Sequence, residues 1–204
     1  MAEQVRPMQY QEEERFKFDP YAHAVTAITE PHRMTHDGFM YNASSGGIAV
    51  ADGATLDVIF ALAAGVFAHV ILVEFGIDDG PGLVELYENV VTSDDGTTVL
   101  TKNHNRVGTP SDPATVVTHT PTITDVGDVL HQRYIPDPGG SGNQSLGNVF
   151  SGEDQEWVLG GENKYLWRLT NNSGGAINAG VHFNFYEIGY TVNHREEFDN
   201  LSGS

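Results

Sequence analysis

Short runs of apolar, or alternating apolar and polar, residues recur along this chain, and clusters of Gly, Asp, Asn and Pro separate them. Such runs have the length of β-strands, and none forms an amphipathic helix of twelve residues or more. We identify eleven runs, at residues 24–28, 38–42, 55–62, 69–75, 83–91, 97–101, 114–120, 128–135, 156–159, 164–170 and 181–188. Their number and spacing predict an all-β fold, an antiparallel β-sandwich of jelly-roll type.

Two of these runs alternate cleanly with a period of two residues. Tyr165, Trp167 and Leu169 fall on one face of the first, and Phe183 and Phe185 fall on one face of the second. Successive side chains of a strand point to opposite faces, so these aromatic and aliphatic residues are predicted to line the core. The opposite face of the second run carries polar and aromatic side chains, His182, Asn184 and Tyr186.

Turn-forming segments connect the predicted strands. DDGPG at 78–82 and NNSGGAINAG at 171–180 each lie between two runs, and both are predicted to form hairpin connections. The stretch DPGGSGNQSLGN at 137–148 is rich in glycine and is predicted to be a long flexible loop.

Size and charge narrow the class of protein. The chain has 204 residues, no cysteine, and 28 acidic against 10 basic residues, for a formal net charge of −18. This length predicts one domain, with a core that needs no disulfide. The few cations do not cluster, so binding to nucleic acid or to an anionic membrane is disfavoured. The longest run without a formal charge is shorter than a membrane span, and no signal peptide is recognised.

The two ends differ from the body at residues 21–190. Residues 1–20 are polar and are predicted to be an N-terminal arm or flexible lead-in, with Phe16, Phe18 and Tyr21 as aromatic pegs for a neighbouring molecule. Residues 191–204 are predicted to be a flexible C-terminal tail.

Metal and cofactor sites have little support in the sequence. His32 and His36 have the spacing that places two imidazoles on one helical face, but Pro31 precedes them, Asp37 and Gly38 follow, and a helix there would be short. Two surface histidines are the favoured interpretation. Asp-Asp-Gly sequences fit turns better than calcium loops, and no phosphate-binding loop is present. We therefore predict no metal and no cofactor.

The sequence also lacks a catalytic pattern. It contains no nucleophile elbow, and its strand carboxylates Glu74, Glu85, Glu88 and Glu187 could serve a hydrolase only if two of them converged in a groove. Solvated faces of an acidic β-protein are the favoured interpretation, so the chain is predicted not to be an enzyme.

Aromatic and cationic residues supply the remaining candidates. Trp157 and Tyr186 are the two aromatic side chains predicted to be exposed, and beside the 137–148 loop they could stack on a sugar. Arg106, Arg133 and Arg168 are rare cations in this acidic chain. Each could pair with a carboxylate or bind a neighbouring subunit, and the sequence does not decide between these roles.

Several segments between residues 53 and 190 together resemble a known class of virion protein. They are GATLDVIF, HVILVEFGI, VELYENVVTSDDGTTVLTKNHNR, KYLWRLTNNSGGA and FNFYEIGY. This pattern resembles the head decoration, or cement, proteins of tailed bacteriophages. The resemblance implies a jelly-roll-like sandwich, commonly a homotrimer, that clamps subunits of the major capsid protein on the capsid exterior after assembly in the host cytoplasm. It implies no enzymatic activity.

Three functional hypotheses follow. The first is a capsid decoration protein whose contacts to the capsid or to other subunits involve Phe16, Phe18, Tyr21, Arg106 and Arg133. The second is a carbohydrate- or receptor-binding module of a tail or fibre. The third is a hydrolase that uses a pair of carboxylates.

Overall fold

The structure is a computed structural model that describes residues 16–19, 24–27, 30–107, 111–137, 145–151 and 156–189. Side chains are described for residues 31–107, 111–137 and 156–189. Within these ranges, no helix has the length and apolar character needed to cross a membrane.

Nearly all of the regular structure in these ranges is strand. The strands are β1 (Phe16–Asp19), β2 (Ala24–Ala27), β3 (Met40–Ser44), β4 (Ile48–Val50), β5 (Thr55–Ala61), β6 (Val66–Ile77), β7 (Gly82–Glu88), β8 (Val91–Asp94), β9 (Thr97–Thr98), β10 (Thr101–Asn103), β11 (Val116–His119), β12 (Thr122–Asp125), β13 (Asp128–Ile135), β14 (Ser145–Ser151), β15 (Trp157–Leu159), β16 (Lys164–Asn171) and β17 (Ile177–Gly189). The described helix is α1 (Glu30–Asp37).

Two antiparallel sheets form the body. The first has the order β10-β3-β17-β6-β14, with β4 also paired to β17 and β15 to β6. The second has the order β13-β7-β16-β5-β11-β9. Their central strands, β3-β17-β6-β14 and β5-β16-β7-β13, are the two interleaved four-stranded sheets of a jelly roll. The predicted all-β sandwich is confirmed.

The two predicted hairpins are wrong, because each turn crosses between the sheets. β6 lies in the first sheet and β7 in the second, while β16 lies in the second and β17 in the first. The two crossovers pack together: Asn172 N donates to Pro81 O at 3.1 Å, and a Cβ on Gly80 would collide with Ser173. Turn residues predict where a chain reverses, but they do not predict which sheet the next strand joins.

Apolar side chains fill the space between the sheets. All five residues predicted to face the core from the two alternating runs do so. The rings of Phe60 and Phe183 meet edge to face with centroids 4.7 Å apart, and Trp167 lies 5.9 Å from Phe183. The aromatic centre joins strands of both sheets, so it holds the sandwich closed.

α1 is an element that the sequence analysis did not predict. Pro31 occupies the first turn, where its missing N–H is tolerated, and Gly38, with φ of +82°, ends the helix. Met34 projects from α1 onto the outer face of the first sheet, where it packs with Met40 and Tyr186. Tyr186 was predicted to be exposed, and this is wrong: it is only 4% exposed because the helix covers it.

Two further segments differ from their predictions, and the end of the predicted arm is described in part. The start of β14 lies inside the stretch predicted to be a loop, residues 137–148. The run at 97–101 divides into β9 and β10, which belong to different sheets. The end of the predicted arm is a strand, since β1 pairs with β2. Residues 1–15 and 190–204 lie outside the described residues, so the arm and the tail stay predictions.

Candidate interaction surface

β13 forms one edge of the second sheet. It pairs with β7 over its whole length, in a register that runs from Asp128 opposite Glu88 to Ile135 opposite Gly82. A bulge lies between Val129 and His131. In the described part of the chain no strand pairs with its other side. An edge of this kind presents backbone N–H and C=O groups to another molecule.

β13 exposes side chains on both of its faces. Val129 is 52% exposed, Leu130 37% and Tyr134 60%, and Arg133 is exposed between them. Single exposed apolar residues are ordinary on protein surfaces, but here three lie along one edge strand. Aromatic, aliphatic and arginine side chains together are typical of protein–protein interfaces.

A row of polar contacts across the outer face of the second sheet supports β13. Gln132 Nε2 donates to Glu85 Oε1 at 2.6 Å, and Glu85 lies opposite Arg168 on β16. Arg168 in turn donates to both carboxylate oxygens of Asp57 on β5, at 2.7 and 2.8 Å. The four side chains lie on four adjacent strands, with one hydrogen-bonded pair joining β13 to β7 and the other joining β16 to β5.

The row also perturbs ionisable groups. The carboxylate of Asp57 raises the pKa of the Arg168 guanidinium, which lies 5.9 Å from the centre of the Tyr87 ring. Burial, together with the hydrogen bond and charge of Glu85, raises the pKa of the Tyr87 hydroxyl. The Arg168 prediction allowed pairing with a carboxylate or with another subunit, and the structure confirms the carboxylate.

The start of β13 is held by a close backbone approach. Gly127, with φ of +72°, lies so near the Glu88 carbonyl oxygen that a Cβ there would collide with it. Asn89 Nδ2 donates to Asp128 Oδ2 at 3.4 Å in the same turn region. Only glycine fits this position, so the local sequence fixes where the edge strand begins.

β13 also contacts the neighbouring edge of the first sheet. The His131 ring meets Trp157 of β15 edge-on, with centroids 6.1 Å apart. Trp157 is partly buried against the core, so it supports this corner of the sandwich. This contact between the edges of the two sheets therefore lies next to the exposed side chains of β13.

Of the predicted contact residues, the two with described side chains, Arg106 and Arg133, lie in different parts of the chain. Arg133 lies on β13. Arg106 is exposed in the loop after β10, beside Asn105, whose side chain donates to the backbone oxygen of His36 at 2.8 Å. Phe16 and Phe18 lie on β1 with side chains outside the described residues, and Tyr21 lies outside them altogether.

The candidate carboxylates are divided between the sheets. Glu74 and Glu187 belong to the first sheet, and Glu85 and Glu88 belong to the second. Glu187 accepts the backbone N–H groups of Ala114 and Thr115 at 2.9 and 2.7 Å. These bonds anchor the segment that leads into β11, which is a structural role.

The turn interpretation of the Asp-Gly segments agrees with the contacts found there. Asp78 accepts the backbone N–H of Asn178 at 2.8 Å and its side-chain amide at 2.7 Å. These hydrogen bonds hold the pKa of the Asp78 carboxyl below its ordinary value. Asp94 accepts from the backbone N–H of Gly96 at 2.8 Å. No group of three or more His, Asp or Glu side chains suited to a metal is found among the described residues.

Val129, Leu130 and Tyr134 were not identified from the sequence as contact residues. The run DVLHQRYI could have indicated them, because it has strand propensity but no face that is wholly apolar and suited to a core. Both faces of such a strand are solvated in the isolated chain.

Comparison with known proteins does not assign the chain to a family. No family model matches the chain, and no curated protein matches it. Among solved structures, a mutant VP2 protein of infectious bursal disease virus aligns at 15% identity over 86% of this chain and 45% of its own, with a TM-score of 0.18. The viral particle of the same virus aligns at 12% identity over 88% and 45%, also with a TM-score of 0.18. The chain thus spans less than half the length of these VP2 chains, and TM-scores this low carry no argument about its fold or function.

Proposed function

We propose that this chain is a non-enzymatic structural protein of a virion, and that it binds the outer surface of the capsid as a decoration protein. The proposal rests chiefly on the exposed edge strand β13 of a jelly roll whose interior is filled. It also draws on the resemblance of residues 53–190 to tailed-phage decoration proteins.

The filled interior favours a function at the surface. Jelly rolls occur in capsid proteins, in lectins and in cupins, so the fold alone does not choose among these. Where the two sheets face each other, this chain places buried rings such as Phe60, Phe75 and Trp167. A sandwich packed in this way interacts through its edges, loops and outer faces.

β13 supplies a suitable edge. Its apolar side chains offer area for burial, and its outer edge, with which no described strand pairs, can receive a strand of a partner. Arg133 adds a cation to a chain with a net charge of −18, which lowers the repulsion between an acidic protein and its neighbours. We propose that β13 contacts the major capsid protein or a second copy within a homotrimer.

The test is co-sedimentation of the purified full chain with phage heads that lack it, at two salt concentrations. We expect saturable binding at a fixed ratio to the capsid subunit, and sedimentation velocity should give three times the monomer mass. A folded protein that does not bind heads would overturn the decoration role. Tryptophan quenching by a host polysaccharide in that case would favour the carbohydrate-binding alternative, although burial of Tyr186 removes one of its two aromatic candidates.

A further inference from the structure

α1 brings His32 and His36 into direct contact. Their Nε2 atoms share a hydrogen bond of 3.0 Å, which a bound ion would replace with both rings in the Nδ1–H tautomer; the ring centroids are 4.6 Å apart, and both residues are exposed. Met34, two residues from each histidine, anchors the opposite side of the helix in the cluster on the first sheet. With about 100° of rotation per residue, both imidazoles therefore project away from the sheet.

The backbone around this pair is held from several sides. Thr35 Oγ1 donates to Pro31 O at 2.9 Å within the helix, and Asn105 Nδ2 donates to His36 O at 2.8 Å from the loop after β10. Asn103 Nδ2 donates to Gly38 O at 2.6 Å just beyond the helix end. An eight-residue helix would be marginal alone, and these contacts give the histidines a fixed scaffold.

The separation of the two nitrogens is compatible with a particular coordination geometry. Imidazole nitrogens lie about 2.0–2.1 Å from a bound transition-metal ion. At that bond length, nitrogens 3.0 Å apart subtend an angle of about 94° at the ion. This is close to the right angle between neighbouring ligands in tetragonal Cu²⁺ and Ni²⁺ complexes, whereas a tetrahedral Zn²⁺ site needs a separation of about 3.4 Å.

The sequence alone favoured two surface histidines without a metal; from the geometry of α1 we propose instead that His32 and His36 form an exposed two-nitrogen site for a divalent transition-metal ion of the Cu²⁺ or Ni²⁺ class, with water in the remaining positions. Neutral imidazole is a preferred ligand of these ions, and the net charge of −18 raises their concentration near the surface. The ion cross-links two successive turns of α1 and so stabilises the helix. This site is independent of the β13 edge.

The test uses the full chain without an affinity tag, at pH 7.5. Titration with Cu²⁺ is followed by electron paramagnetic resonance and calorimetry, and compared with the variants H32Q and H36Q. H119Q is the matched control, because the ring of His119 contacts only Thr120 among the hydrogen bonds described for it. We expect one Cu²⁺ ion per chain, with its electron spin coupled to two nitrogens. Affinity should decrease from Cu²⁺ to Ni²⁺ to Zn²⁺, and the bound metal should raise the Tm of the chain.

Each single variant is expected to weaken Cu²⁺ binding by about tenfold or more, because the ion is then held by one histidine instead of by two on the same helix. H119Q should bind as the parent does. Unchanged binding by H32Q and H36Q would overturn the proposal, as would a loss in only one of them. Coupling of the bound Cu²⁺ to a single nitrogen would also overturn the proposal.

Discussion

Replacing Asn171 by alanine is expected to remove three hydrogen bonds from a side chain that solvent does not reach. Its amide nitrogen donates to Val50 O at 3.0 Å and to Gly175 O at 2.7 Å. Its oxygen accepts the backbone N–H of Ser173 at 2.9 Å. Together these bonds tie the end of β16 to β4 and to the crossover that leads into β17.

The expected cost follows from the number of bonds. At a net contribution of about 1 kcal/mol for each bond, N171A should lower the free energy of unfolding by about 3 kcal/mol. For a chain of this size, that loss corresponds to a fall in Tm of about 6–12 °C. N171D keeps the shape but turns a carboxylate toward two carbonyl oxygens, so it should cost more at pH 7 than at pH 4.

Urea unfolding followed by tryptophan fluorescence measures the effect. N172A is the matched control, because the neighbouring side chain is exposed and should change the free energy of unfolding by no more than about 0.5 kcal/mol. If N171A were as stable as N172A, these hydrogen bonds would not hold the crossover in place.

Three further variants test the packing, the polar row and a turn. F183A should cost about 3–5 kcal/mol in urea unfolding, because Phe183 is fully buried and its loss opens a cavity beside Phe60. R168M should lower the free energy of unfolding by about 1–3 kcal/mol in the same assay, because it leaves the mostly buried Asp57 carboxylate without its partner. The double variant R168M/D57L should recover part of that loss, because it removes the unpaired charge. The hydrogen bonds from Asn178 lower the pKa of Asp78, and this stabilises the fold at pH values above the ordinary carboxyl pKa of about 3.9. The stabilisation is lost as the pH falls through the lower pKa of the folded protein. N178A should therefore make the free energy of unfolding depend less on pH between about pH 5 and 2.

Local patterns in the sequence predicted much of this fold. The alternation in KYLWRLT placed Tyr165, Trp167 and Leu169 in the core, because the period of a strand fixes which side chains share a face. The bounds of β13 agree with the predicted run at 128–135. These features depend on neighbours along the chain, and such information is present in a single sequence.

Features that depend on distant parts of the chain were not predictable in this way. The assignment of β6 and β7 to different sheets depends on which strands compete for each edge. The burial of Tyr186 depends on α1, a helix formed more than a hundred residues earlier in the chain. β13 is exposed because, among the described residues, it is the last strand of its sheet. Its position in the sheet cannot be read from the run at 128–135 alone.

We propose that this chain binds heads through its edge strand β13. The direct measurement compares V129E with V91E in co-sedimentation with heads that lack the protein. The two valines are 52% and 53% exposed and lie on β13 and β8, so the same substitution adds the same charge at different places. We expect both variants to fold, V91E to bind as the parent does, and V129E to lose binding. Equal binding by the two variants would show that β13 does not contact the head.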